Sequence, residues 1–263
     1  MDPVIHRGSN YAAKIAELNS LGIYTIARVV VFKDPILPDH MKEWAIKRND
    51  GSIWLDRKRI AWVDPSNENV WDYNIEMAKE AAKLGFREIQ FDYVRFPTDG
   101  NTSEIHYDFS EHTTKKDIIN SFLLKAKQEL EPYNVYLAAD VFGLTTSTRD
   151  DMRIGQQFEE IAAIVDYICP MMYPSHYAKG SYGLADPDRS PYETVYKGLL
   201  DAQKKIADLE NPAIIRPWLQ DFSLQSRYTE KEVLLQRKAV YDSDLIEWIF
   251  WNAGNRYKKD AYF

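Results

Sequence analysis

The sequence holds a single cysteine, Cys169, which excludes an internal disulfide and any cysteine-built zinc site. Its five histidines, His6, His40, His106, His112 and His176, never fall into H-x-H or H-E-x-x-H spacing. A histidine-built metal centre is therefore not expected. Neither G-x-x-x-x-G-K-S/T nor G-x-G-x-x-G occurs, so nucleotide binding has no local support and no cofactor is expected. The G-x-S-x-G elbow of serine hydrolases is absent too. No apolar run approaches the ~20 residues that cross a bilayer, and the first ten residues lack the apolar stretch of a signal peptide. A net charge of −7 argues against a nucleic-acid backbone or an anionic membrane as the main partner. Carboxylates are the catalytic groups that remain.

What the chain does have is length and aromatic surface. Its 263 residues match the roughly 250 of a single α/β barrel, so one domain over 1–263 is expected. Hydrophobic residues at 45% are enough for a sizeable core. The 7 Trp and 17 Tyr are a surplus; it suits either a large core or flat apolar faces that meet a flat ligand.

Hydrophobic periodicity alternates between helix and strand. Helices are expected at 11–21, 67–84, 115–131, 154–165, 192–209 and 230–241. Strands are expected at 23–32, 87–96, 135–141, 167–173, 213–219 and 247–251. A repeated β–α unit of this kind implies a parallel sheet wrapped by helices, the (β/α)8 TIM barrel class. Helix-to-strand links are short, whereas the strand-to-helix links 33–67, 98–114, 143–153 and 174–191 are long, polar and aromatic. Barrels keep their chemistry on loops of that second kind. Six strands are visible where closure needs eight: either some escape a sequence reading, or about two are missing on the amino-terminal side.

The segment Gly85–Pro97 is the most informative. Alternation puts Gln90, Asp92 and Val94 on one face and Ile89, Phe91 and Tyr93 on the other. The apolar set suits packing against helices, which turns Gln90 and Asp92 inward. An inward acid near the carboxyl end of a barrel strand is costly unless paired or used. It is either a catalytic group or a structural acid held by Arg28 or Arg95. In Val135–Gly143, the small Ala138 and Ala139 leave room around Asp140 at another strand end. Asp140 is a second candidate, with loop capping as its alternative role. Two carboxyls on adjacent strands are what glycoside hydrolysis requires.

Further along, Tyr173 and His176 close a strand beside two prolines. Arg216, Trp218 and Gln220 share one strand face, a mixture that looks like ligand groups where a pure core would prefer Val, Ile and Leu. Asp221 is a third acid, on the other face by alternation. Trp54, Trp62, Trp218 and Trp251 fall at strand ends or the following loops, where indole faces could stack on sugar rings. Trp44, Trp71 and Trp248 read as core. Asn252 either bonds a hydroxyl or turns the chain.

Four segments, Ile26–Pro35, Ala61–Pro65, Val70–Asn74 and Glu88–Pro97, resemble a bacterial family known as the "putative glycosyl hydrolase domain". Ala139–Gly143 and Pro170–Tyr173 extend the likeness, and Phe-Asp-Tyr-Val-Arg-Phe-Pro is highly specific to that family. The resemblance implies a (β/α)8 barrel with a glycosidase-like site and an extracellular or cell-envelope location. It further implies additional sequence, barrel strands included, ahead of the first helix seen here. With two strands ahead, Asp92 lies on the fourth and Asp140 on the fifth, the strands that hold nucleophile and acid/base in the α-amylase clan, a parallel of fold alone. Family 18 chitinases share the pattern at Gly85, Phe86, Gln90, Asp92 and Tyr93, but their catalytic glutamate falls on Val94. Substrate-assisted chitinase chemistry is therefore not expected.

The expectation is a glycosidase acting on an oligo- or polysaccharide, with Asp92 as nucleophile or base and Asp140 as general acid. Arg28 would keep Asp92 ionised. Trp62, Gln90, Tyr173, His176, Arg216, Trp218, Gln220, Trp251 and Asn252 would contact the sugar. A carbohydrate-binding barrel without turnover is the rival, and a divalent metal on Asp92, Asp140 and Asp64 ranks third.

Overall fold

Thr114 and Thr229 each start a helix through a reciprocal bond three residues on. Thr114 Oγ1 accepts from Asp117 N–H while Asp117 accepts from Thr114 N–H, and Glu232 accepts from Thr229 N–H. Such boxes satisfy donors that the first helical turn leaves open. The helices that follow, Lys115–Leu130 and Glu230–Asp242, match the periodicity. So do Tyr11–Ser20, Glu68–Lys83 and Pro191–Ile206. The computed structural model describes residues 10–262, and these divide into two units.

The first unit takes the chain up to Asp140 with Asp151–Gln156 and Ile164–Asp166. Its strands are Ile26–Val30, Glu88–Asp92 and the start of Tyr136–Phe142. They pair in parallel, with Ala27 opposite Ile89 and Phe91 opposite both Val29 and Ala139. Residues of strand Glu88–Asp92 are buried throughout, which suits a strand covered on both sides. Its outer face meets helix Lys115–Leu130 through Phe122, whose ring lies 5.2 Å from Phe91 and 5.3 Å from Phe32. Trp71, from helix Glu68–Lys83, joins at 6.1 Å.

Two of the long links are not plain loops. Lys47–Arg48 pairs antiparallel with Ile105–His106, and isolated bridges join Ala45 to Val63 and Leu55 to Ala61. Trp54 and Trp62 are fully buried inside this small structure.

The second unit comprises Val141–Asp150, Gln157–Ala163 and the described residues from Tyr167 on. Strand Tyr167–Met171 pairs in parallel with Ile214–Ile215 and with Trp218–Gln220. Pro217, which has no N–H to offer a ladder, separates those two pieces of what the sequence suggests is one strand. Trp218–Gln220 then pairs with Ile249–Trp251. Helix Pro191–Ile206 buries Val195, Leu199 and Ala202, and helix Glu230–Asp242 buries Val233, Ala239 and Val240.

The fold class is α/β, with parallel strands alternating with helices, as expected. Several elements are shorter than the sequence suggests, among them the strand expected at 23–32, which spans Ile26–Val30; two have a backbone cause. The strand expected at 87–96 ends at Asp92, because Tyr93 takes a left-handed backbone with φ 53°. The helix expected at 154–165 shrinks to Phe158–Ala162, because Gly155 sits at φ 84°. Among the described residues no helix is long and apolar enough to cross a membrane.

Candidate active site

Register explains how the first unit assembles its charged groups. Arg28 stands opposite Gln90, and Val30 stands opposite Asp92. Arg28 and Asp92 therefore point to the same face, two residues apart along the strands, and the long guanidinium side chain spans that step. Its Nη2 bonds Asp92 Oδ2. Phe91 and Ala139 are also register partners, so Asp92 and Asp140 lie one step beyond them on neighbouring strands. Arg28 Nε lies 3.9 Å from Asp140 Oδ2. One guanidinium thus reaches both carboxylates.

Both acids are buried, Asp92 at 5% and Asp140 at 2% exposure, while the Arg28 side chain keeps 33%. The second oxygen of Asp92 accepts the N–H of Tyr93 at 2.6 Å. The left-handed turn at Tyr93 brings that N–H back onto its own neighbour. Gln90, one step earlier on the same face, is buried as well.

A second charged cluster in this unit surrounds Trp62. Lys33 Nζ bonds Asp56 Oδ2 at 2.8 Å and lies 5.3 Å from the rings of Trp62 and Tyr93. Arg95 lies 5.0 Å from Trp62 and 5.1 Å from Tyr93. Burial pulls the Arg95 guanidinium down to about 10 against the opposing pull of Tyr93 and Asp92. Burial raises the Asp56 carboxyl, but Lys33 and the Ile60 N–H outweigh it and hold it below its usual value. Trp62 donates its Nε1–H to Asp56 at 3.4 Å and is fully buried. Asp64 is pushed up, first by burial and then by Asp108, against two bonds from Ser66.

In the second unit the expected ligand groups fall into separate sets. Tyr173, His176 and Phe222 meet edge to face, with ring centres 5.4 to 6.1 Å apart. Burial lowers the His176 imidazole, opposed by Asp188. Trp218 and Trp251 cross at 89° with centres 5.7 Å apart. Gln220 is fully enclosed; its Oε1 accepts from Ser175 N and Oγ, and its Nε2 donates to Phe222 O. Arg216 lies 4.0 Å over the Tyr167 ring and 3.6 Å from Glu247. Asn252 turns the chain, donating to Asp221 O and Arg256 O and accepting from Gly254 N. Asp221 is held by Lys258 and Tyr262. Among the described residues, no three His, Cys, Asp or Glu side chains converge to hold a metal ion.

In the first unit the structure also engages Lys33 and Arg95 around Trp62 and Tyr93, and Gln156 on the Asp140 carbonyl. Gln156 sits in what reads as a helix by apolar spacing, so no local signal marks it. Lys33 sits in a link whose antiparallel pairing joins segments nearly sixty residues apart.

Parallel strands that each feed a helix, with Asp92 and Asp140 side by side on neighbouring strands, are the frame of an α/β barrel. The profile of the family described as "Putative glycosyl hydrolase domain" matches residues 4–257, and the chain belongs to that family. No curated protein matches it. Among solved structures, the PgaB (BpsB) glycoside hydrolase domain from Bordetella bronchiseptica is 14% identical, with a TM-score of 0.63 over 93% of this chain and 75% of that one. The spore cortex-lytic enzyme SleL from Bacillus cereus is 12% identical, with a TM-score of 0.57 over 96% and 62%. A hypothetical protein from Ruminiclostridium thermocellum ATCC 27405 is 39% identical over 50% of this chain and 66% of that one, with a TM-score of 0.46. The chain spans less than two thirds of the length of these last two. The PgaB and SleL likenesses show the fold, a (β/α)8 barrel with six of its strand positions among the described residues.

Proposed function

We propose that this protein hydrolyses O-glycosidic bonds of a polysaccharide, with Asp92 as nucleophile or base and Asp140 as general acid. One observation carries the reading: Arg28 reaches two buried carboxylates at the carboxyl ends of neighbouring parallel strands. In such a pair one carboxyl protonates the leaving oxygen, and the other attacks the anomeric carbon or steers water onto it. Arg28 sets its guanidinium directly against the Asp92 carboxylate. Gln90 and Trp62 support this site from within the first unit. In the second unit, Tyr173 with His176, and Trp218 with Trp251, are the rings proposed for sugar contact; Gln220 sits beside the first pair through Ser175 and Phe222, Asn252 follows Trp251, and Arg216 lies apart, over Tyr167.

The SleL name describes lysis of spore cortex, and a cell-envelope or extracellular glycan is the substrate class proposed here, with a matching location. The test is incubation with a panel of such glycans, following new reducing ends. Wild type should release them and Asp92→Asn should not. Full turnover by Asp92→Asn on a confirmed substrate removes the mechanism.

A non-catalytic carbohydrate-binding barrel is the second reading. Its support is that Arg28 and the Tyr93 N–H already occupy both oxygens of Asp92. Calorimetric sugar binding with no product after days would favour it.

A further inference from the structure

We propose that Gln156 is the positioning residue of the acid pair, an inference that rests on the Asp92–Asp140 reading. Its side-chain amide joins the strand end that carries Asp140 to the segment that leaves Asp92. Nε2 donates to Asp140 O at 3.1 Å and to Val94 O at 3.3 Å. An amide nitrogen has two hydrogens, so these two carbonyls use its whole donor capacity.

The need for such a clamp follows from the turn at Tyr93. The ladder between the two strands runs through the Phe91–Ala139 pair. At Tyr93 the chain swings away with φ 53°, just where the two acids must keep a fixed spacing. Beyond the turn, Phe96 N–H donates to Ile154 O at 2.9 Å, so Val94–Phe96 runs beside Ile154–Gln156. Gln156 thus replaces a strand-to-strand contact with a side chain and is completely buried.

The segment that delivers it is itself fixed. Asp151 accepts from Gly155 N–H through its carboxylate and from Ile154 N–H through its carbonyl. Gly155 has a left-handed φ of 84°, and a Cβ there would lie 2.6 Å from Ile119 Cγ1 and 2.7 Å from Lys115 O. The backbone is pressed onto helix Lys115–Leu130, with no slack for Gln156 to drift.

The test compares wild type with Gln156→Met and Gln156→Glu. Methionine keeps the length and removes both donors. A protonated glutamic acid restores one donor at low pH. Positioning predicts that Gln156→Met lowers kcat on a confirmed glycan substrate by about 100-fold, with KM little changed. Gln156→Glu should recover part of that loss as the pH falls, measured relative to wild type at each pH. Crystal structures should show the 3.9 Å contact between Arg28 and Asp140 lengthened in Gln156→Met. If Gln156→Met does not fold, the pH-dependent recovery of Gln156→Glu decides. A role confined to stability would lower the unfolding midpoint and leave kcat per folded molecule, and that contact, as in wild type. An inactive Asp92→Asn beside a fully active Gln156→Met overturns the positioning role and spares the acid pair. A fully active Asp92→Asn overturns the pair itself.

Discussion

Arg28 pairs with Asp92 diagonally, although the residue directly opposite Asp92 is Val30. The same guanidinium approaches Asp140, so one cation serves two buried anions. Removing it strands both, and breaking a buried pair is costly. Because Arg28 is one-third exposed, solvent screening reduces the loss. Arg28→Leu should cost about 1–3 kcal/mol in urea denaturation at pH 7. A loss near zero would assign the contact to the solvent-screened surface bridges.

Gly155 has a left-handed backbone and no room for a methyl group. Gly155→Ala should therefore destabilise the protein by about 2 kcal/mol or more, read from the thermal or urea midpoint. An unchanged midpoint would mean that the 151–156 segment is not tightly seated.

Asp64 binds its proton more tightly in the folded chain than in the unfolded one, chiefly through burial. For an acid with a raised value, stability declines as the pH rises through the interval that begins near its ordinary 3.8. Asp64→Asn keeps the acceptor used by Ser66 without the charge. The variant should be at least as stable as wild type at pH 7, with any advantage gone near pH 3.5. Urea midpoints at the two pH values decide; a variant markedly weaker at pH 7 contradicts the assignment.

His176 takes up its proton less readily when folded, because of burial. As the pH falls through about 6.5, the unfolded chain protonates first, so folded stability is lost below that point. The midpoint of wild type should drop between pH 7 and pH 5 by more than that of His176→Gln. Parallel curves for the two proteins would show that His176 is not the titrating group.

Much of this arrangement is legible in the sequence because it depends on local periodicity. Helices such as Glu68–Lys83 announce themselves through the spacing of Val70, Trp71, Ile75 and Ala78. Alternation along Glu88–Asp92 turns Gln90 and Asp92 to one face, and Arg28 is recognisable as a partner for Asp92. What escapes are features set by single backbone angles or distant pairings. Tyr93 at φ 53° ends the alternation before Val94. Ile154, Ile161 and Val165 are spaced like a helix, yet Gly155 breaks it. Pairing of Lys47–Arg48 with Ile105–His106 leaves no mark in either link alone. Gln156 belongs to this second group, since its role exists only once Val94 and Asp140 are brought together.

The most direct measurement is turnover by wild type, Asp92→Asn and Asp140→Asn on one confirmed glycan, with folding checked by matched unfolding curves. Each substitution should lower kcat by at least about 100-fold, the range for a lost general acid or base. Wild-type turnover in either folded variant would contradict the Asp92–Asp140 reading.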